Sequence, residues 1–172
     1  MSETIQILDE EKRYCTAKEA MRYAISYMET EQAHAIRKIQ CSHKGTPDSE
    51  AELFIRMFGR YLHKNHTRVF LLAETDKLLA QMIEVLPERY TGIKIVSAVT
   101  MEEDGISDDM ILNQINGEEI ECIIAALSDE SEDDFYEQYH SLLDTKIWVE
   151  LGTNLRVKKK WDFPIRHFLK KD

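Results

Sequence analysis

Apolar positions along the chain switch between two rhythms, and the switching outlines the elements. Short apolar runs bounded by turn residues read as buried strands, whereas apolar residues at three- and four-residue steps read as one face of a helix. The alternation is clearest from residue 68 onward. Arg68 to Ala73 (RVFLLA) is a compact apolar strand. Thr75 caps a following helix that carries Leu78, Leu79, Met82, Ile83 and Leu86 and is predicted to stop around Pro87. Gly92 precedes a second strand, Ile93 to Val99. Ser107 caps a helix through Met110, Ile111 and Ile115, closed by Asn116-Gly117. Ile120 to Leu127 is a third strand, Ser131 to Leu143 a third helix, and Lys146 to Leu151 a fourth strand.

The amino-terminal part is less regular. Ile5 to Leu8 reads as a short strand. Thr16 and Glu19 form a capping box before a helix whose Ala17, Ala20, Met21, Ala24, Ile25 and Met28 share one face. Ala33 to Cys41 is ambiguous and reads best as a strand burying Ile36 and Ile39. Ser42 to Glu50 is rich in turn residues, and a helix starting near Asp48 groups Leu53, Phe54, Met57, Phe58, Tyr61 and Leu62.

The resulting β-α-β-α-β-α-β order predicts an α/β, Rossmann-like fold: a mostly parallel sheet with helices on both faces. One α/β domain is expected over residues 1–151, best defined over 67–151, with a basic amphipathic tail over 152–172. In open sheets of this type, ligands bind outside the carboxyl ends of the strands. Those ends are Ala73-Glu74-Thr75, Val99-Thr100-Met101, Leu127-Ser128-Asp129 and Leu151-Gly152-Thr153.

Charge changes this picture at the tail. The formal net charge is -10, which argues against nucleic acid as a partner, because phosphates would be repelled. Residues 152–172 nevertheless hold seven Lys or Arg against two Asp. Arg156, Lys158, Lys159, Lys160, Trp161, Arg166, Phe168, Lys170 and Lys171 mix cations with aromatic rings, a pattern that suits an anionic membrane surface. The alternative is a tail folded back on the acidic body, or a dimer contact. The acidic, polar start lacks the apolar stretch of a secretory signal, and no run suffices for a membrane span. The expected location is therefore the cytoplasm, peripheral at the inner membrane face. Cys15, Cys41 and Cys122 are an odd, dispersed set and read as reduced thiols, with Cys122 buried in its strand.

Other candidate chemistry is weaker. Asp129 to Asp134 places five carboxylates in six positions. This run reads as a solvated helix start, with Mg2+ binding as the alternative. Cys41-x-His43 and His63-x-x-His66 supply zinc-type ligands at non-standard spacing and read as polar surface residues. No cofactor is expected and no metal site is assigned. Thr75 reads as a cap, with a phosphate contact as the alternative.

Four segments carry a resemblance: RVFLLAET, LPERYTGIKIVSAV, INGEEIECIIAAL and DTKIWVELGTNL. Their order and spacing resemble the second half of the WecG/TagA/CpsF family of bacterial glycosyltransferases, and TAKEAMRYAISYM resembles the family's opening helix. The resemblance implies transfer of N-acetylmannosamine or a related sugar from a UDP donor to a polyprenyl-pyrophosphate-linked acceptor at the inner membrane face. It places nucleotide-sugar contacts at Ala73, Thr75, Ser128, Glu132 and Asp133. The sequence departs from the family pattern in three places. Cys41-Ser42-His43 stands where a Thr-x-Asn loop should begin, and neither its Asn nor the catalytic Asp can be carried over to a residue here. Ala73-Glu74 replaces a glycine after the first strand of the βα series. Glu132 and Asp133 replace the Gln-Glu of the loop after the third. The sequence therefore predicts a divergent homologue with weakened or lost catalysis. The alternative is a non-enzymatic subunit that pairs with an active glycosyltransferase or with a second copy of itself.

Overall fold

The computed structural model describes residues 5–8, 12–31, 35–41 and 49–153. Residues 154–172 of the basic tail, including every residue proposed to meet a membrane, lie outside the described residues, as does His43. In chain order the elements are β1 (Ile5–Leu8), β2 (Lys12–Cys15), α1 (Ala17–Met28), β3 (Arg37–Gln40), α2 (Ser49–Lys64), β4 (Arg68–Ala73) and α3 (Asp76–Arg89). There follow β5 (Lys94–Thr100), α4 (Asp108–Gly117), β6 (Cys122–Ala126), α5 (Asp129–Tyr139), a 3-10 turn at His140–Leu142, and β7 (Ile147–Glu150).

The seven strands form one sheet in the order β2-β1-β3-β7-β6-β4-β5. The five strands β3, β7, β6, β4 and β5 run parallel, and the β1–β2 hairpin adds antiparallel to β3. Helices cover both faces, as the buried strands require. Apolar residues of α1, α2 and α3, such as Ala20, Phe54 and Met82, pack in one core with Val69, Leu71, Ile124 and Val149. The other faces of the same strands, with Phe70, Leu72, Ile123 and Trp148, pack against Ile111 and Ile115 of α4 and Phe135 and Tyr139 of α5. This three-layer arrangement is an α/β Rossmann-like fold.

Local signals place the helix starts. Thr16 Oγ1 accepts from Glu19 N at 3.2 Å while Glu19 Oε1 accepts from Thr16 N at 2.9 Å, so the capping box closes in both directions. Thr75 caps α3 by accepting from Leu78 N. Three details differ from expectation. Strand β2 (KRYC) carries too little alternation to stand out, and its pairing with β1 defines it. Helix α3 runs through Pro87 to Arg89, because a proline in the last turn removes only one helical bond. Helix α5 starts at Asp129 rather than Ser131, since the Ser128 hydroxyl accepts from Ser131 N and caps it two residues earlier.

Candidate functional site

Chain order reverses between β6 and β4, one strand in from the β5 edge of the sheet. From β4 the chain moves outward to β5, then crosses back so that β6 lies on the other side of β4. The carboxyl ends of β4 and β6 therefore flank the switch point, the place where open α/β sheets hold their ligands. Ala73 ends β4, is fully buried and pairs with Ala126. Beyond it Glu74 N donates to Ala126 O at 2.8 Å, which turns the Glu74 side chain across the switch point. Its Oε1 accepts from Ser128 N at 2.9 Å and its Oε2 from the Ser131 hydroxyl at 3.0 Å. The start of α5 thus already holds an anion, and that anion is a side chain of the protein. A helix start attracts anions because its first amides lack partners inside the helix.

The same substitution occurs on both sides. At α3, Glu102 Oε1 accepts from Asp76 N at 2.8 Å, and Asp76 Oδ1 accepts from the Thr100 hydroxyl at 2.8 Å. At the end of β7, Glu150 is fully buried. Its Oε2 accepts from Leu127 N at 2.8 Å and Gly152 N at 3.1 Å, and its Oε1 from Trp148 Nε1 at 3.1 Å. Burial, and then the nearby charge of Glu132, push the Glu150 carboxyl up to about 8 against the pull of those three donors. Both oxygens of Glu150 are committed to fixing the β6–α5 and β7 loops.

Glu132 does not face the switch point. It turns inward from α5, 4% exposed, and pairs with the equally buried Lys38 of β3. The Lys38 ammonium also sits 4.3 Å from the centre of the Tyr136 ring. Register continues this polar row, because Gln40 pairs with Glu150 and Gln6 pairs with Gln40 on the same face. Gln6 is 7% exposed, and its Nε2 has no partner among the described residues.

Of the five residues assigned to nucleotide-sugar contact, Ala73 and Ser128 meet at the switch point and Thr75 lies one turn away at the head of α3. Glu132 lies under α5 in its ion pair, and Asp133 is exposed on the outer face of the helix. The remaining acids of the run, Asp129, Glu130 and Asp134, are exposed. Among the described residues, no group of three His, Cys, Asp or Glu is placed to hold a metal ion. Cys41 is buried at the carboxyl end of the sheet, whereas His63 and His66 stand at the opposite end and both contact Gly92. The loose zinc-type set is therefore not assembled. All three cysteines are buried free thiols, and burial pushes the pKa of the Cys41 and Cys122 thiols up, which keeps them protonated.

Sequence reasoning missed Glu150 and Lys38. A carboxylate inside the apolar run WVEL and a lysine inside a buried strand were the available signals.

An open, mostly parallel sheet, covered on both faces and reversing between β4 and β6, defines a protein of the Rossmann-like α/β class. Residues 47–158, well over half of the chain, match the family described as Glycosyl transferase WecG/TagA/CpsF family. The chain belongs to that family of glycosyltransferases. Among curated proteins no sequence matches it. No helix among the described residues is long and apolar enough to cross a membrane.

Proposed function

We propose that this family member handles a sugar nucleotide weakly or not at all, and that its transfer of an N-acetylmannosamine-type sugar from a UDP donor to a polyprenyl-pyrophosphate acceptor is weakened or lost. One observation carries the reading: Glu74 crosses the switch point and takes the Ser128 amide and Ser131 hydroxyl. A pyrophosphate approaching that helix start would have to displace a carboxylate and lie beside its charge. Glu102 has the same effect at Asp76 N, and Glu150 occupies the Leu127 and Gly152 amides with a carboxyl that is mostly protonated at neutral pH. Glu150, although held near neutrality in its affinity for protons, has both oxygens engaged inside the protein and no exposed surface from which to act on an acceptor hydroxyl.

Calorimetric titration and thermal shift with UDP and UDP-N-acetylmannosamine, with and without Mg2+, test this reading on wild type and Glu74→Gly. The expected result is no stabilisation of the wild type and measurable UDP binding by the variant. A clear rise in melting temperature of the wild type with UDP overturns it. Stimulation of an active family member by the wild type, without UDP-sugar turnover of its own, would assign the retained scaffold to a partner subunit.

A further inference from the structure

We propose that a basic cavity at the amino-terminal edge of the sheet, opposite the switch point, is a binding site for a phosphate-bearing ligand. The cavity is open to solvent and has a volume of about 630 Å³, in the range of small-molecule sites. It lies where α2 and α3 end and β4 and β5 begin. Arg60 and Lys64 of α2 and Arg89 of α3 line it, together with His63, Tyr61 and Tyr90. Three cations thus converge from two helices, in a chain whose net charge is -10. Lys64 and Arg89 lie in last helical turns, where the helix dipole by itself favours cations. Arg60 is a turn earlier, and it and Arg89 each also interact with other groups of the protein.

The cavity is built by close contacts. A Cβ on Gly59 would come within 2.7 Å of the Tyr90 ring, so that ring lies directly on the α2 backbone. A Cβ on Gly92 would come within 2.2 Å of His63 O. Gly92 N donates to His63 Nδ1 at 2.7 Å, which places the proton of the neutral imidazole on Nε2 and makes that atom a donor. These contacts fix the end of α3 against α2 and hold the Arg60–Lys64 turn beside Arg89. The Tyr61 hydroxyl reaches Glu29 Oε2 at 3.4 Å and also feels the charge of Glu121, so two carboxylates stand near the margin. Guanidinium groups match phosphate oxygens two at a time, and an ammonium beside them adds a point charge.

The test is an NMR titration of the full chain with inorganic pyrophosphate. Amides of residues 60–64 and 89–92 should shift. The triple variant Arg60→Gln/Lys64→Gln/Arg89→Gln should weaken binding at least tenfold. The variant Lys18→Gln/Arg22→Gln/Lys77→Gln makes the same change in net charge away from the cavity and should bind within about twofold of wild type. Should the cavity triple fail to fold, Lys64→Gln alone, on an exposed side chain, carries the comparison through a several-fold loss. The phosphate could arrive on a soluble ester or a lipid headgroup. Phosphatidylcholine vesicles containing phosphatidic acid separate the two. Vesicle binding lost only in the cavity triple places the phosphate on a lipid, and equal vesicle binding by both triples places it on a soluble ester. No shift at these amides with pyrophosphate, or equal weakening in both triples, overturns the proposal.

Discussion

The two edges of the sheet meet anions in opposite ways. At the carboxyl edge, amides that could receive a ligand already receive Glu74, Glu102 and Glu150 from the protein itself. At the amino edge, Arg60, Lys64 and Arg89 surround an open volume. The contrast teaches that topology marks where a sheet can bind, whereas side-chain charge decides whether it does. A switch point is a favourable place only while its amides remain available.

The sharpest way to break the carboxyl edge is to remove Lys38. Lys38→Met leaves Glu132 buried without its cation and should destabilise by about 3–5 kcal/mol in urea unfolding, while Lys38→Met/Glu132→Met should recover most of the loss. Full stability in the single variant would show that the pair does not hold α5 to β3.

Glu150 gives the next effect through pH. Its folded value of about 8 lies above the ordinary 4.5, so the folded state holds the proton more tightly than the unfolded state. The stability this contributes is complete below about 4.5 and is lost as pH rises through about 8. The slope is at most about 1.4 kcal/mol per pH unit. Urea unfolding of wild type and Glu150→Ala from pH 5 to 8.5 should show the wild-type advantage shrinking with pH. A constant difference would place the proton elsewhere.

A smaller change sharpens the amino edge. Gly92→Ala forces a methyl into the His63 carbonyl and should cost about 1–3 kcal/mol. Its NMR shift changes should gather at residues 59–66 and 89–94 and leave the Glu74–Ser128 contact intact. Changes that spread to the switch point would show the two edges to be mechanically coupled.

Legibility in the sequence follows the range of the interaction. Strands β4 to β7 and their helices were readable because burial on both faces imposes continuous apolar runs, and caps such as Thr16, Thr75 and Ser107 act within one turn. The position of the carboxyl edge and its switch point followed from the same order. What stood on that edge did not. Lys38 and Glu132 are 94 residues apart, and Glu74 reaches Ser128 across 54. Such pairs leave no periodic trace, so Glu132 read as one more solvated acid in its run. The convergence of Arg60 and Arg89 was equally hidden, because each looks like an ordinary surface cation on its own helix.

Glu74 also bears on how such a protein can change. Deleting its carboxylate strands an amide and a hydroxyl immediately, whereas the UDP binding that this opens is weak at first and needs further substitutions to mature. The intermediate gives up stability at once for a small gain in binding. A single side chain across the cleft can therefore act as a ratchet, keeping a lineage from drifting back to its ancestral ligand even while the surrounding scaffold stays intact.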